Sequence, residues 1–317
     1  MKSKPLSLRE SLTPCVDLRF PDFEKHYANG LTAKAYYFDS IDCLKWHQNF
    51  LDRVFNAQKN KQFLPIYRIN HGEFVLAIGY RYEKPWYRRG FKQTISSLLY
   101  SFLSPYRSGS RGYGFEKYSI FDLNTAREKF LLSLEEVAKL GILAIAFHDT
   151  TGNKIYVSDF CDWLSKKKIS LTQSNYFHFY SVYALMHGSD RFRLIGGKTV
   201  LVVTSLTPEK QQRIIDGLMA SGAINVQFLG VSREKAMFDT LDLSQICQPI
   251  DLVLVAAGTG SANIMIQLSS LNTVCIDVGF CLDTIANPDL RWNRPLCIPD
   301  EEFDISRFPW ISKGIKD

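Results

Sequence analysis

The 317-residue chain has no run of 18 apolar residues, no low-complexity tract and no internal repeat. It therefore offers no membrane span and no solenoid. Its N-terminal MKSKPLSLRESLTP has no apolar core, so it does not read as a signal peptide. The seven cysteines (15, 43, 161, 247, 275, 281 and 297) form no Cys-x-x-Cys pair and no zinc-like spacing. An odd count at irregular spacing argues for reduced thiols and a cytoplasmic setting. There is no Gly-x-Ser-x-Gly elbow and no His-Glu-x-x-His, so hydrolases of those two kinds have no support. What remains is an ordinary globular composition, 46% hydrophobic and 22% charged, which excludes a disordered or coiled-coil chain. The length suits one large α/β unit or two domains.

The formal charge is small, 38 basic against 32 acidic residues, but it is concentrated. Residues 81–117 carry Arg81, Lys84, Arg88, Arg89, Lys92, Arg107, Arg111 and Lys117 against Glu83 and Glu116. Eight minus two is +6, which equals the surplus of the whole chain. Tyrosines, Trp86 and glycines are interleaved there. Such a segment suits a diphosphate, an anionic acceptor or a lipid headgroup surface. Because charge elsewhere is balanced, a broad nucleic-acid surface is not expected.

The apolar pattern predicts a helix over 41–58, a strand over 63–69, helices over 93–103 and 124–139 (with Asn124 as its cap), and a strand over 141–147. Near 176–187 it predicts a helix. Beyond it come strands at 198–204, 225–230, 251–258 and 272–279, with helices over 208–220 and 262–269. Strands that are apolar throughout and alternate with helices predict a Rossmann-like parallel sheet covered on both faces. The expected organisation is an N-terminal, partly helical extension over 1–59, an α/β domain over 60–290 and a tail over 291–317.

Ligands in such sheets bind beyond the carboxyl ends of strands. Four expected strand ends carry polar or glycine-rich residues: 70–73, 148–149, 205–207 and 258–261. In the last, Gly258-Thr259-Gly260-Ser261 precedes a helix, so backbone N–H groups there suit a phosphate. Asn263 stands where a dinucleotide fingerprint needs its third glycine, and no P-loop lysine follows. A nicotinamide-dependent oxidoreductase is therefore disfavoured. In the first, Arg68-Ile69-Asn70-His71-Gly72-Glu73 leaves its strand into a turn, and His71 and Glu73 face one divalent ion if that turn curls. A satisfied Glu and a surface His is the plainer reading. Asp149 and Asp277 are candidate acid or base groups, and each is equally suited to anchoring a turn.

RINHGEF (68–74) and DLVLVAAGTGSANIMIQLSSLNTVCIDVGF (251–280), in that order and at that spacing, resemble the Arg-Phe-Gly-Asp-Gly-Glu and Gly-Pro-Thr to Asp-Ile-Gly-His blocks of the GT-D fold glycosyltransferases of bacterial glycan assembly. The similarity spans roughly residues 60–285. It implies a Rossmann-like nucleotide-sugar transferase, UDP-sugar dependent and inverting, with an Asp-x-Glu motif that binds manganese or magnesium and the donor diphosphate. Carried over by position, His71 and Glu73 are the metal pair. Glu73 is then a catalytic carboxylate, Asp277 matches the Asp of the second block, and Asp277 and Asp149, by their place at strand ends, are the two candidates for the base that inversion needs. Arg68 matches the Arg that opens the first block, the Gly258-Thr259-Gly260 turn matches the donor-binding turn in part, and one or two of Arg81, Arg88 and Arg89 from the basic segment supplement the charge on the donor. The implied partners are a nucleotide-sugar and an anionic or lipid-linked glycan, with peripheral membrane contact through 81–117 at the inner face. Departures from the pattern include four positions: His71 replaces the Asp, Thr259-Gly260 replaces Pro-Thr, and Phe280 replaces the final His. The alternative is a non-catalytic protein of the same fold that binds an anionic glycan, nucleotide or protein.

Overall fold

A computed structural model describes residues 12–15, 35–38, 43–78, 120–147 and 154–293. Leu12–Cys15 (β1) and Ala35–Phe38 (β2) pair antiparallel, and β2 lies near the edge of the main sheet. Cys43–Lys59 (α1) leads into Leu64–Ile69 (β3). His71–Ile78 (α2) and Ile120–Leu140 (α3) precede Ile142–Ile145 (β4). Lys154–Lys166 (α4), Tyr176–His178 (β5), Tyr180–His187 (α5) and Asp190–Ile195 (α6) come next. The chain continues through Thr199–Thr204 (β6), Pro208–Ala220 (α7) and Asn225–Gly230 (β7). Leu252–Ala256 (β8), Ser261–Gln267 (α8), Val274–Asp277 (β9) and Phe280–Ala286 (α9) complete it.

Strands β3 to β9 form one seven-stranded parallel sheet in the order β5-β4-β3-β9-β8-β6-β7. This is an α/β fold compatible with a generic Rossmann-like topology. Period-two alternation divides the side chains of β3 between its two faces. Tyr67 points to α3, meeting Phe130 edge-on at 6.3 Å, while Arg68 points to the opposite face and the Tyr183 hydroxyl of α5. On the Tyr67 side, Phe74, Phe147, Phe160 and Trp163 join α2, the end of β4 and α4 in one aromatic cluster. Elsewhere Trp46 and Phe50 of α1 lie against Phe177 of β5, and α7 packs on α9.

Pro65 sits in a central strand, where a missing N–H is usually excluded. Here the β4 ladder begins only at Ile66, so no bond is lost, and Gly141 fills the space beside the ring. A Cβ on Gly141 would run into the Pro65 carbonyl.

The expected strands appear with shortened ends, and three expectations change. The helix over 124–139 starts at Ile120, because Leu123 and Ala126 continue the buried stripe of Phe130 and Leu134, so Asn124 lies inside it rather than capping it. The helix near 176–187 is β5 followed by α5; Tyr176-Phe177-His178 pairs with β4, and sheet pairing overrides the local pattern. The turn at 70–73 is the first turn of α2. The helix over 93–103 lies outside the described residues. The helix expected in the N-terminal extension packs on the main sheet as α1, with the Trp46 indole N–H donating to the Tyr176 carbonyl.

Phe160 is fully buried at the centre of the aromatic cluster. Phe160→Ala is expected to destabilise the fold by about 3–5 kcal/mol, read as a lower urea midpoint at unchanged slope.

Candidate functional site

The carboxyl ends of β3, β9 and β8 lie side by side at the centre of the sheet. Arg68, the fifth residue of β3, is buried to 13% side-chain exposure and bridges to β9. Its Nε–H donates to the Asp277 carbonyl at 2.7 Å and stands 3.6 Å from the Asp277 carboxylate. Its Nη1 donates to the Tyr183 hydroxyl at 3.2 Å, and its plane lies 5.4 Å from the Tyr183 ring centroid. Its Nη2 lies where a Cβ of Gly279 would be, and Gly279 has φ +42°. Only glycine satisfies both conditions.

Asp277 is almost buried, and its Oδ1 accepts from the Ser261 hydroxyl at 3.3 Å. Burial pushes its carboxyl above the usual range, and Arg68 and Ser261 offset only part of that. Burial likewise disfavours the charged guanidinium, but Asp277, with Tyr183, Cys281 and Glu73, outweighs it, so Arg68 is held more firmly protonated than normal.

Glu73 is the third residue of α2. Its Oε2 accepts from the Asn70 backbone N–H at 2.9 Å, and the Phe74 N–H donates to the Asn70 carbonyl at 3.0 Å. This is the Glu arm of a capping box, with Asn70 as the N-cap. Burial is the main cause that raises the Glu73 carboxyl to about 7, with Asp277 adding to it and the Asn70 N–H opposing it.

At the end of β8, the turn expected to cradle a phosphate bonds largely to itself. Gly260 N–H donates to the Ala257 carbonyl, Ser261 N–H to the Gly258 carbonyl, and Ala257 N–H to the Ser261 hydroxyl. Gly258 is exposed, whereas Gly260 is buried against Ala236 and Met237, so close that a Cβ would lie 2.6 Å from their backbone atoms. The Tyr67 hydroxyl donates to the Thr259 carbonyl at 3.3 Å. The Thr259 hydroxyl is buried with no hydrogen-bond partner among the described residues.

Of the sequence-derived site residues, the structure thus brings together Arg68, Glu73, Asp277 and the Gly258–Gly260 turn. His71 opens α2, and its side chain is outside the description, as are Arg81, Arg88, Arg89 and Asp149 and the whole 81–117 segment. Tyr183 and Ser261 were missed as site residues. Ser261 lies inside the glycine-rich turn that drew attention, whereas nothing local marks Tyr183, since its role comes from helix α5 crossing over β3.

The His71 side chain, the other half of the expected metal pair, lies outside the described residues. No group of three His, Cys, Asp or Glu side chains exists among them. One Glu73 oxygen is taken by a backbone amide, and the Asp277 carboxylate faces a hydroxyl and a guanidinium. Among the described residues no helix is long and apolar enough to cross a membrane. No protein-family model, curated protein or solved structure matches this chain.

Two outcomes follow from this geometry. Gly279→Ala is expected to displace Arg68 and to lower stability by about 1–3 kcal/mol, and Arg68→Met in the same chain should recover part of that loss in chemical denaturation. The second concerns pH. Folded Glu73 titrates at about 7 against an ordinary 4.5, so the native state holds the extra proton between those values. Wild-type stability therefore falls, by at most about 1.4 kcal/mol per pH unit, as pH rises through that window. Glu73→Gln removes this dependence, so the difference between variant and wild type should shift in favour of the variant from pH 5 to pH 7.5 and then level off.

Proposed function

We propose that this chain is a nucleotide-sugar-dependent glycosyltransferase, acting first of all on UDP-sugars and transferring with inversion to a glycan or glycolipid acceptor. The observation that carries this reading is the meeting of the two sequence blocks. Arg68 of the first is bonded to Asp277 of the second at adjoining strand ends, 209 residues apart in sequence. Carboxyl ends of central strands are where this class of sheet binds its ligands.

Glycosyl transfer puts negative charge on the departing diphosphate, and fixed donors stabilise that charge without reorganising. Arg68 offers N–H groups beyond those bonded to Asp277 and Tyr183, held in place by the Gly279 backbone. The Thr259 hydroxyl, buried in the adjoining turn, has no hydrogen-bond partner among the described residues. In this reading Asp277, made more basic by burial, receives the acceptor hydroxyl proton as the anomeric carbon is attacked from the face opposite the leaving group. Arg81, Arg88 and Arg89 add charge for the anionic donor and for a lipid-linked acceptor at a membrane surface.

A second reading is a binding protein without turnover. It is favoured by one observation: the Asp277 carboxylate is already engaged by Ser261 and Arg68. Calorimetry with a panel of UDP- and GDP-sugars, coupled to an assay for released nucleoside diphosphate, separates the two. Binding with release supports the transferase, and binding without release supports the second reading. No binding of any donor removes the transferase. Arg68→Lys loses the planar fork, and donor affinity is expected to drop about tenfold to a hundredfold.

A further inference from the structure

Glu73 is the residue at which the family resemblance and the geometry diverge. The resemblance makes it half of a metal pair, whereas its position makes it a local structural element. It is the third residue of an eight-residue helix, and its carboxylate turns back to the N–H of the residue that caps that helix. Its neighbours Phe74 and Leu76 are fully buried, so the first turn is fixed to the core on its other side. A carboxylate in this place closes a backbone donor that would otherwise be orphaned. A cation ligand would instead need free lone pairs aimed at a point shared with other donors. Among the described residues nothing supplies that shared point. A capping acceptor works equally well without charge, which is why Gln substitutes for Glu at this position of a capping box.

We infer that Glu73 is a positioning residue of the proposed donor site. It fixes the start of α2, and with it the bend at Asn70, two residues after Arg68, and donor binding does not depend on a divalent ion held by Glu73. The inference rests on the transferase reading for its ligand. Its structural half stands without it. Loss of the cap frays the first turn of α2, which lowers the population of chains with the bend in place, and apparent affinity falls by that fraction.

The test uses the full chain as wild type, Glu73→Gln and Glu73→Ala, with three measurements: thermal unfolding, calorimetric titration with MnCl₂ alone, and donor binding in EDTA and in Mn²⁺. Glu73→Gln is expected to keep wild-type donor affinity within about twofold, while Glu73→Ala loses about fivefold and unfolds at a lower temperature. MnCl₂ alone should give no saturable heat that depends on Glu73, and EDTA should leave wild-type donor affinity unchanged. The inference is overturned if Gln is as damaging to donor binding as Ala while unfolding at the wild-type temperature. It is equally overturned if Mn²⁺ binds the wild-type chain and Glu73→Gln abolishes that binding. Should no donor bind to any variant, the transferase reading fails, and the unfolding and MnCl₂ arms still decide the role of Glu73.

Discussion

The centre of this sheet is tied at its carboxyl end by the Arg68 guanidinium. Arg68 reaches out of β3 onto the carbonyl and carboxylate of Asp277 in β9, leans on Tyr183 of α5, and needs the bare backbone of Gly279 to lie where it does. Each partner comes from a different element, so the position of Arg68 reports whether β3, β9, α5 and the start of α9 are in place together. An ion pair this deep is costly to desolvate and adds little net stability compared with apolar packing. Its effect is on arrangement: a half-formed version leaves a charge buried without its counterpart, so neighbouring alternatives are strongly disfavoured.

The charge balance of the site follows from that pair. Among the described residues two carboxyl groups, Glu73 and Asp277, share the interior with the Arg68 guanidinium, and both are pushed toward their neutral forms chiefly by burial. Asp277 has the cation beside it. Glu73 has a backbone amide, and a neutral acceptor serves that amide adequately. The site therefore reconciles an excess of acid by letting one carboxyl act as a hydrogen-bonding group. Within the described residues the site is a helix start beside a strand tie.

Much of the sheet could be read from the chain itself. Thr199–Thr204 and Leu252–Ala256 are near-continuous apolar runs, the pattern of buried parallel strands, while Asn225–Gly230 at the sheet edge is half-buried and interrupted by Gln227. The start at Pro208 was equally plain, since proline is favoured in a first helical turn. What was illegible has a common cause. β5 is three residues long and exists because β4 is beside it, and Tyr183 matters because α5 crosses Arg68. Neither relation leaves a local trace. The 70–73 segment is a subtler case: Asn70 and Glu73 are a capping pair in plain view, but Gly72 between them reads as a turn. The glycine-rich turn follows β8 where the sequence pattern places it, whereas its internal hydrogen bonding depends on Ser261 folding back on Ala257, which spacing alone does not reveal.

The strand order has a consequence for how the molecule is made. The first strand of the main sheet lies beside the last, so β3 waits through the synthesis of β4 to β8 before its second neighbour exists. Until β9 leaves the ribosome, one edge of β3 and one edge of β8 stay open, and the two halves of the sheet have no strand joining them. Contacts between residues this distant in the chain form late and slowly. Arg68 would spend that interval without Asp277, so β9, the last of the sheet's strands among the described residues, both closes the sheet and sets a carboxylate beside the charge at its centre.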